Sequence, residues 1–287
     1  CLRLVGSEMC IRDSHNILSM SLPPILNRAL NAAYEGANEI IQFSKRIDNL
    51  KVIKKGENDF TTNLDQYVEA KVFENLQKYY PDFGYFGEES GTEGIEDKEC
   101  SWVIDPIDGT RNFIYQYPHY ALSLACIKEG KVICAVIIDP VRNDVFCAGE
   151  DTGSLLNNKR IRASNKSTLN NSLLSSTGHS NSEQNYIYKP LETYKLLNDF
   201  DVTVRRSGCT SLDIAYCAAG RLDGFWGHGL KLWDRLAALY IAQTAGCLIS
   251  DFTGTPDTFV SDHMIVSTPK CFKDLSKCVK AGYQSKE

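Results

Sequence analysis

Apolar residues recur three or four positions apart at Leu26, Leu30, Ala33, Ala37 and Ile40. That spacing lays one apolar stripe along a helix, and Pro23-Pro24 stands at its start. The pattern breaks over Lys51 to Thr62, a polar, charged, glycine-containing stretch that reads as a loop or short hairpin. A second helix is predicted from about Leu64 to Tyr79, with Pro81 as its stop. From Tyr85 the period shortens. Tyr85-Phe86 leads into Gly87-Glu88-Glu89-Ser90 as a strand end, and Trp102-Val103-Ile104 is a short buried strand that ends at Asp105. Tyr120–Ile127, Lys131–Ile138 and Asp144–Ala148 alternate as strands. The turns Glu129-Gly130 and Pro140–Asn143 join them into an antiparallel meander.

The second half interleaves the two periods. Strands are predicted at Ser172–Ser176, Val202–Arg205, Asp223–Trp226, Cys247–Ile249 and Met264–Val266. Helices are predicted at Tyr188–Asn198, Ser211–Ala219, Asp234–Ala245 and Lys270–Ala281. The polar run Ala163–Leu169 marks a soft boundary, dividing the chain into 20–164 and 165–287. With no internal repeat, the class is mixed α and β in layers of helix and sheet.

Composition narrows this modestly. A hydrophobic fraction of 43% over 287 residues suits one large domain or two sharing a core. The net charge of −5 and the mixing of signs argue against a nucleic-acid-coating surface. The basic pairs Lys45-Arg46, Lys54-Lys55, Lys159-Arg160 and Arg205-Arg206 read as solvated faces. Eleven cysteines show no Cys-x-x-Cys pair, and Cys126, Cys134 and Cys147 fall in apolar strands. Buried thiols in a reducing cytoplasm fit them better than disulfides or zinc. No apolar run reaches the roughly 18–20 residues of a membrane helix. Residues 1–19 carry no period and lack the apolar core of a signal peptide, so Met20 is the expected start and the preceding stretch a non-native or disordered leader.

The chemistry concentrates in Asp105-Pro106-Ile107-Asp108-Gly109-Thr110-Arg111-Asn112-Phe113. Two acids at the mouth of a buried strand cost free energy unless a cation sits between them. Glu88 ends another strand-like run and Asp234 opens a helix. If these ends converge, they form an all-oxygen cage, which selects Mg²⁺ or Mn²⁺ over zinc. The amides of Gly109 and Thr110 at a turn or helix start suit a phosphate. A plainer reading stands beside this one: Asp-Pro and Asp-Gly are common turn pairs, and an acid at a helix start is an ordinary cap.

These motifs, with Gly87-Glu88-Glu89-Ser90 and Trp233-Asp234, resemble the three signatures of the inositol monophosphatase family. The likeness extends through Lys54, Asp59, Thr61 and Asp65 upstream, and through Gly208 and Ala218–Trp226 downstream. The resemblance implies a layered α-β-α-β-α sandwich and a Mg²⁺-dependent phosphomonoesterase, inhibited by Li⁺ and usually homodimeric. It implies that Glu88, Asp105 and the carbonyl of Ile107 hold one metal ion. Asp105, Asp108 and Asp234 hold a second, with Glu88 also touching a weaker third. Thr110, oriented by Asp65, helps deprotonate the attacking water, and the amides of Gly109 and Thr110 hold phosphate oxygens. Direct attack by water, with no phospho-enzyme, is expected because phosphoryl transfer needs positioning and charge stabilisation and little covalent help.

The chain also departs from the family pattern. Many members carry a substrate-binding glutamate seven residues before the Trp-Asp aspartate, where this chain has Gly227, next to His228. Thr210 replaces a common alanine, and Arg235-Leu236 replace small residues. The metal- and phosphate-binding residues match the family pattern while the alcohol-binding side departs from it, so the phosphomonoesterase expectation rests on more residues than the substrate expectation does. The expected substrate is inositol monophosphate or a related phosphorylated polyol or sugar. Histidinol phosphate, a 3′-phosphoadenosine nucleotide and fructose bisphosphate remain as alternatives. A role of another class, as an RNA-polymerase or ribosomal-RNA maturation factor, is also implied by some bacterial proteins of this kind.

Overall fold

A computed structural model gives the fold for residues 22–45, 52–56, 59–91, 98–178, 186–256 and 259–285. The expectations for residues 1–19 and for the side chains of Lys54 and Asp59 lie outside the described residues. In chain order the first half comprises α1 (Pro24–Ser44), β1 (Val52–Gly56), β2 (Asp59–Thr62), α2 (Asn63–Gln77), β3 (Gly84–Gly87), β4 (Cys100–Asp108) and α3 (Thr110–Ile114). It continues with β5 (Ala121–Lys128), β6 (Lys131–Asp139), β7 (Asp144–Gly149), β8 (Gly153–Leu156) and β9 (Lys159–Arg160). The second half comprises β10 (Leu173–Gly178), β11 (Tyr186–Tyr188), α4 (Pro190–Leu197), β12 (Thr203–Arg205), α5 (Thr210–Ala218) and β13 (Gly224–His228). α6 (Leu232–Thr244), β14 (Leu248–Ser250), β15 (Met264–Ser267), α7 (Pro269–Ala281) and β16 (Tyr283–Ser285) complete it.

Strands β3 to β9 form one seven-stranded sheet in chain order, with β3 parallel to β4 and the rest antiparallel. The expected meander is present, extended by β8 and β9, which the short run Gly153–Arg160 did not announce. A second sheet runs β12-β10-β13-β15-β14, with parallel pairs on one side and antiparallel pairs on the other. The hairpin expected near Lys51 to Thr62 is β1–β2. Tyr188, expected to open a helix, instead pairs with Tyr283 across β11 and β16, and the helix begins at Pro190.

The alternation of side chains explains the layering. Trp102, Ile104, Leu122, Leu124, Val136 and Ile138 leave one face of the large sheet and pack on α1 and α2. Val103, Ala121, Ala125, Ile137 and Phe146 leave the other and meet α5 and α6. Phe225, Met264 and Val266 of the second sheet reach the same middle layer, while Trp226 and Ile265 face α7. The result is the expected α-β-α-β-α sandwich. A fully buried Leu, Ile or Phe in such layers contributes about 1.5–3 kcal/mol, which explains why the two-residue period is kept so strictly. Among the described residues no helix is long and apolar enough to cross a membrane.

The outer layer depends on one close approach. A Cβ at Gly36 of α1 would lie 2.6 Å from Leu122 Cδ1 and 2.8 Å from Val72 Cγ2. Glycine there lets α1 close against both α2 and the sheet. Gly36→Leu is expected to destabilise the fold by about 3 kcal/mol through overpacking, read as a lowered urea midpoint. An unchanged midpoint would contradict that packing.

Candidate active site

The central acids owe their placement to an irregularity in β4. Asp105 pairs with Ser123 and Asp108 with Ala121. Three steps along β4 thus match two along β5, leaving one extra residue as a bulge. In a regular strand positions three apart face opposite sides. The bulge restores Asp108 to the face of Asp105, toward α5 and α6. The strand was expected to end at Asp105, where the apolar run stops. Instead it runs on to Asp108, with the proline accommodated at the bulge. Asp105 Oδ1 accepts the Ile107 amide at 3.0 Å.

Asp108 is held by the start of α5. Its Oδ2 accepts the Ser211 amide at 2.6 Å, the Ser211 hydroxyl at 2.5 Å and the Cys209 thiol at 3.2 Å. Its Oδ1 accepts the Thr210 amide at 3.2 Å. Oδ1, with one donor, keeps acceptor capacity for a further partner. Beyond Asp108 the chain turns through Gly109, at φ 93°, into α3. A Cβ there would stand 3.1 Å from the His119 carbonyl and 3.2 Å from that of Gly208, so the position requires glycine. The amides that open this short helix have no intrahelical acceptor.

The Thr110 hydroxyl lies 2.9 Å from the Ile107 carbonyl and 3.2 Å from Asp65 Oδ1, donating to one at a time. Asp65 is at the third position of α2, where Oδ2 accepts the Thr62 amide at 2.9 Å and hydroxyl at 2.5 Å. Asp234 occupies the matching position of α6 and accepts the Lys231 amide at 2.9 Å. The plain reading of Asp234 as a cap is therefore right, and it does not exclude a second role. Glu88 follows β3, with its amide donating to the Ile104 carbonyl at 3.3 Å.

The acids share one electrostatic field. Burial first, then Glu88, Asp108, Asp234 and Asp65, push the Asp105 carboxyl well above the usual carboxylate range. Burial raises Asp108, while the donors of Ser211, Cys209 and Thr210 pull it back. Burial raises Asp65 to about 6, against the lowering effect of Thr62. Partly accessible Asp234 rises to about 7, through burial and then Asp108, opposed by Lys231 and Arg235. Five carboxylates in mutual repulsion with an all-oxygen donor set match a hard divalent cation. Among the described residues no group of three or more His, Cys, Asp or Glu side chains is arranged so that it could hold a metal ion as it stands, so the fit rests on the chemistry of the donors.

Sequence reading missed several contributors. Ser211 and Cys209, which grip Asp108, carry no motif of their own. Asn112 bridges the carbonyls of His119 and Ser207 at 2.7 and 2.8 Å, tying the α3 loop to the approach to α5. Glu69 was legible in principle, one helical turn after Asp65. On the alcohol side, a Cβ at Gly227 would meet Phe225 at 2.8 Å and Leu230 at 3.1 Å. His228 does not take over from Gly227. It points from the other face of β13, over the backbone of Gly178 and against Tyr188 with ring centroids 4.9 Å apart.

Comparison with known proteins agrees with this geometry. The family model described as "Inositol monophosphatase family" matches residues 22–281. The chain is 39% identical over 258 residues to Nus factor SuhB of Pseudomonas aeruginosa, covering 88% of this chain and 95% of that protein. Its fold is similar to the crystal structure of the extragenic suppressor protein suhB from Bartonella henselae, with a TM-score of 0.85 and 29% identity over 91% of this chain and 100% of that one. It is similar also to inositol monophosphatase from Anabaena, with a TM-score of 0.75 and 28% identity over 88% and 94% of the two chains.

The repulsion has a measurable consequence. Asp65 and Asp234 hold protons more tightly folded than unfolded, so their folded-state values are raised. The metal-free fold therefore binds excess protons at mildly acidic pH and loses stability as pH rises from about 4 through about 7. Asp105→Asn removes the most strongly repelled charge while keeping an oxygen for the Ile107 amide. Without divalent cations at pH 8 it is expected to be more stable than wild type by at least about 1 kcal/mol. Urea unfolding in EDTA checks this, and a lower midpoint for the variant would contradict the electrostatic account.

Proposed function

Because the chain belongs to the inositol monophosphatase family, we propose that it is a Mg²⁺-dependent phosphomonoesterase. Its substrate in this reading is inositol monophosphate or a related phosphorylated polyol or sugar. The observation that carries the reading is the Thr110 hydroxyl within reach of buried Asp65, beside acids that converge on Asp105. Glu88, Asp105 and the Ile107 carbonyl would hold one ion, and Asp105, Asp108 and Asp234 a second. When bound, Mg²⁺ supplies a Lewis acid that eases deprotonation of water and takes up charge from the departing oxygen.

The chain's own groups do the rest. Thr110 Oγ accepts a proton from the attacking water and passes its own to Asp65 Oδ1. Asp65, raised to about 6, is suited to that exchange near neutral pH. The amides of Gly109 and Thr110 orient phosphate oxygens at the start of α3. Asp108, which precedes this loop, is hydrogen-bonded to the start of α5, joining the proposed phosphate-holding segment to that helix.

A second reading rests on the name of the Pseudomonas relative, a Nus factor. In it the protein serves transcription independently of hydrolysis. Rescue of a strain lacking the gene by the Asp105→Asn protein would favour this role.

Phosphate release from inositol 1-phosphate, glycerol 2-phosphate, histidinol phosphate, 3′-phosphoadenosine 5′-phosphate and fructose 1,6-bisphosphate tests the first reading. Release is expected to require Mg²⁺ and to fall at least about 100-fold in Thr110→Val. In ¹⁸O-water the label is expected in phosphate and not in the alcohol. No Mg²⁺-dependent release from any of these esters would overturn the proposal.

A further inference from the structure

Glu69 lies on α2 one turn beyond Asp65 and is 3% exposed, although it has no place in the reaction described above. A buried carboxylate is retained only where donors compensate it. Here two of the donors are backbone amides of one turn, and the Ser90 side chain is a third. Glu69 Oε2 accepts the Glu89 amide at 3.0 Å, and Oε1 accepts the Ser90 amide at 2.8 Å. The turn is closed by the Gly91 amide on the Gly87 carbonyl at 3.0 Å. Glu89 is itself fixed, its Oε1 accepting the Thr61 hydroxyl at 2.7 Å. Gly87 makes room for this arrangement, because a Cβ there would overlap the Glu69 carboxylate.

The residue so enclosed is Glu88, between Gly87 and the two amides that Glu69 holds. Its charge is the largest neighbouring influence on Asp105. The same helix thus fixes two parts of the site, Thr110 through Asp65 and the Glu88 turn through Glu69. We propose that Glu69 is a positioning residue that presents the Glu88 carboxylate to the divalent cation through the Gly87–Ser90 turn. This rests on the cation reading of the acid cluster. Groups that orient a metal's ligands typically change affinity by about 10–100-fold when lost. The glycine is part of the same device, since any side chain at position 87 expels the Glu69 carboxylate.

Titration of the full chain with Mn²⁺, following free Mn²⁺ by electron paramagnetic resonance, reads the effect without reference to turnover. Glu69→Gln keeps the volume and one acceptor but sets an NH₂ against the second amide. Its Mn²⁺ dissociation constant is expected to rise about 10-fold, with the far-ultraviolet circular dichroism of wild type. Gly87→Ala is expected to weaken binding comparably. The double variant should be no weaker than the worse single one, because both changes break one contact. Wild-type Mn²⁺ affinity in folded Glu69→Gln would overturn the inference while leaving the phosphatase reading intact. Loss of the fold in Glu69→Gln would overturn it too, as the residue would then hold the fold and not the ligand. No Mn²⁺ binding by wild type would overturn both.

Discussion

Repulsion among buried carboxylates at the end of β4 is the constraint around which the rest of the site is arranged. Asp105 is almost wholly enclosed, and Glu88, Asp108, Asp234 and Asp65 all act on it with the same sign. A fold does not gather such charges for stability, since each alone would be easier to hold in water. The surrounding structure makes that gathering tolerable, and in the proposed reading a cation would complete it. Helix starts, a bulge and tight glycine turns all meet here, because each delivers N–H groups or backbone where a side chain would not fit.

Besides α3, three helices begin at the site, and each has an acid at its start. Asp65 accepts from the Thr62 amide at the head of α2, Asp234 from the Lys231 amide at the head of α6, and Asp108 from two amides at the head of α5. Each therefore satisfies donors the helix would otherwise leave unpaired and sits in the positive end of a helix dipole. Such a placement stabilises a carboxylate by about 0.3–1 kcal/mol at an exposed site. Burial outweighs it, because all three acids remain raised above their ordinary values. Capping and cation binding are thus compatible uses of the same oxygens. Caps fix where the carboxylates point, and the residual repulsion leaves them ready for a positive charge.

The helices and strands were legible because their signal is periodic, while the order of the layers was implied by the family resemblance. The stripe from Leu26 to Ile40 and the alternation through Ala121 to Ala148 each repeat often enough to define an element and its buried face. Short strands such as β8 and β9 contain too few residues to show a period. The site was legible where chemistry is concentrated in consecutive residues, as in Asp105 to Thr110. It was obscure where one contact joins distant segments. Ser211 meets Asp108 across 103 residues, and nothing in the string around Ser211 announces it. The β4 bulge was hidden for a related reason. Pro106 signals an interruption, and only pairing with β5 shows that the interruption inserts a residue without ending the strand.

The same reasoning separates the two sides of the candidate reaction. Around Asp105 every element reinforces one arrangement, from the Gly109 turn to the grip of α5 on Asp108. Around Gly227 the space that a side chain would need is taken by Phe225 and Leu230, both part of the middle core. A carboxylate cannot be added at that position without moving a buried aromatic ring, so its absence is built into the packing of β13 and is not a single-residue accident. His228, the nearest polar alternative in sequence, is committed to the opposite face of the strand by the two-residue period. The acid cluster is therefore set by electrostatics shared across three helices. The surroundings of Gly227 are set by apolar packing, and under the proposed phosphatase reading no carboxylate from that position would take part in recognising the leaving group.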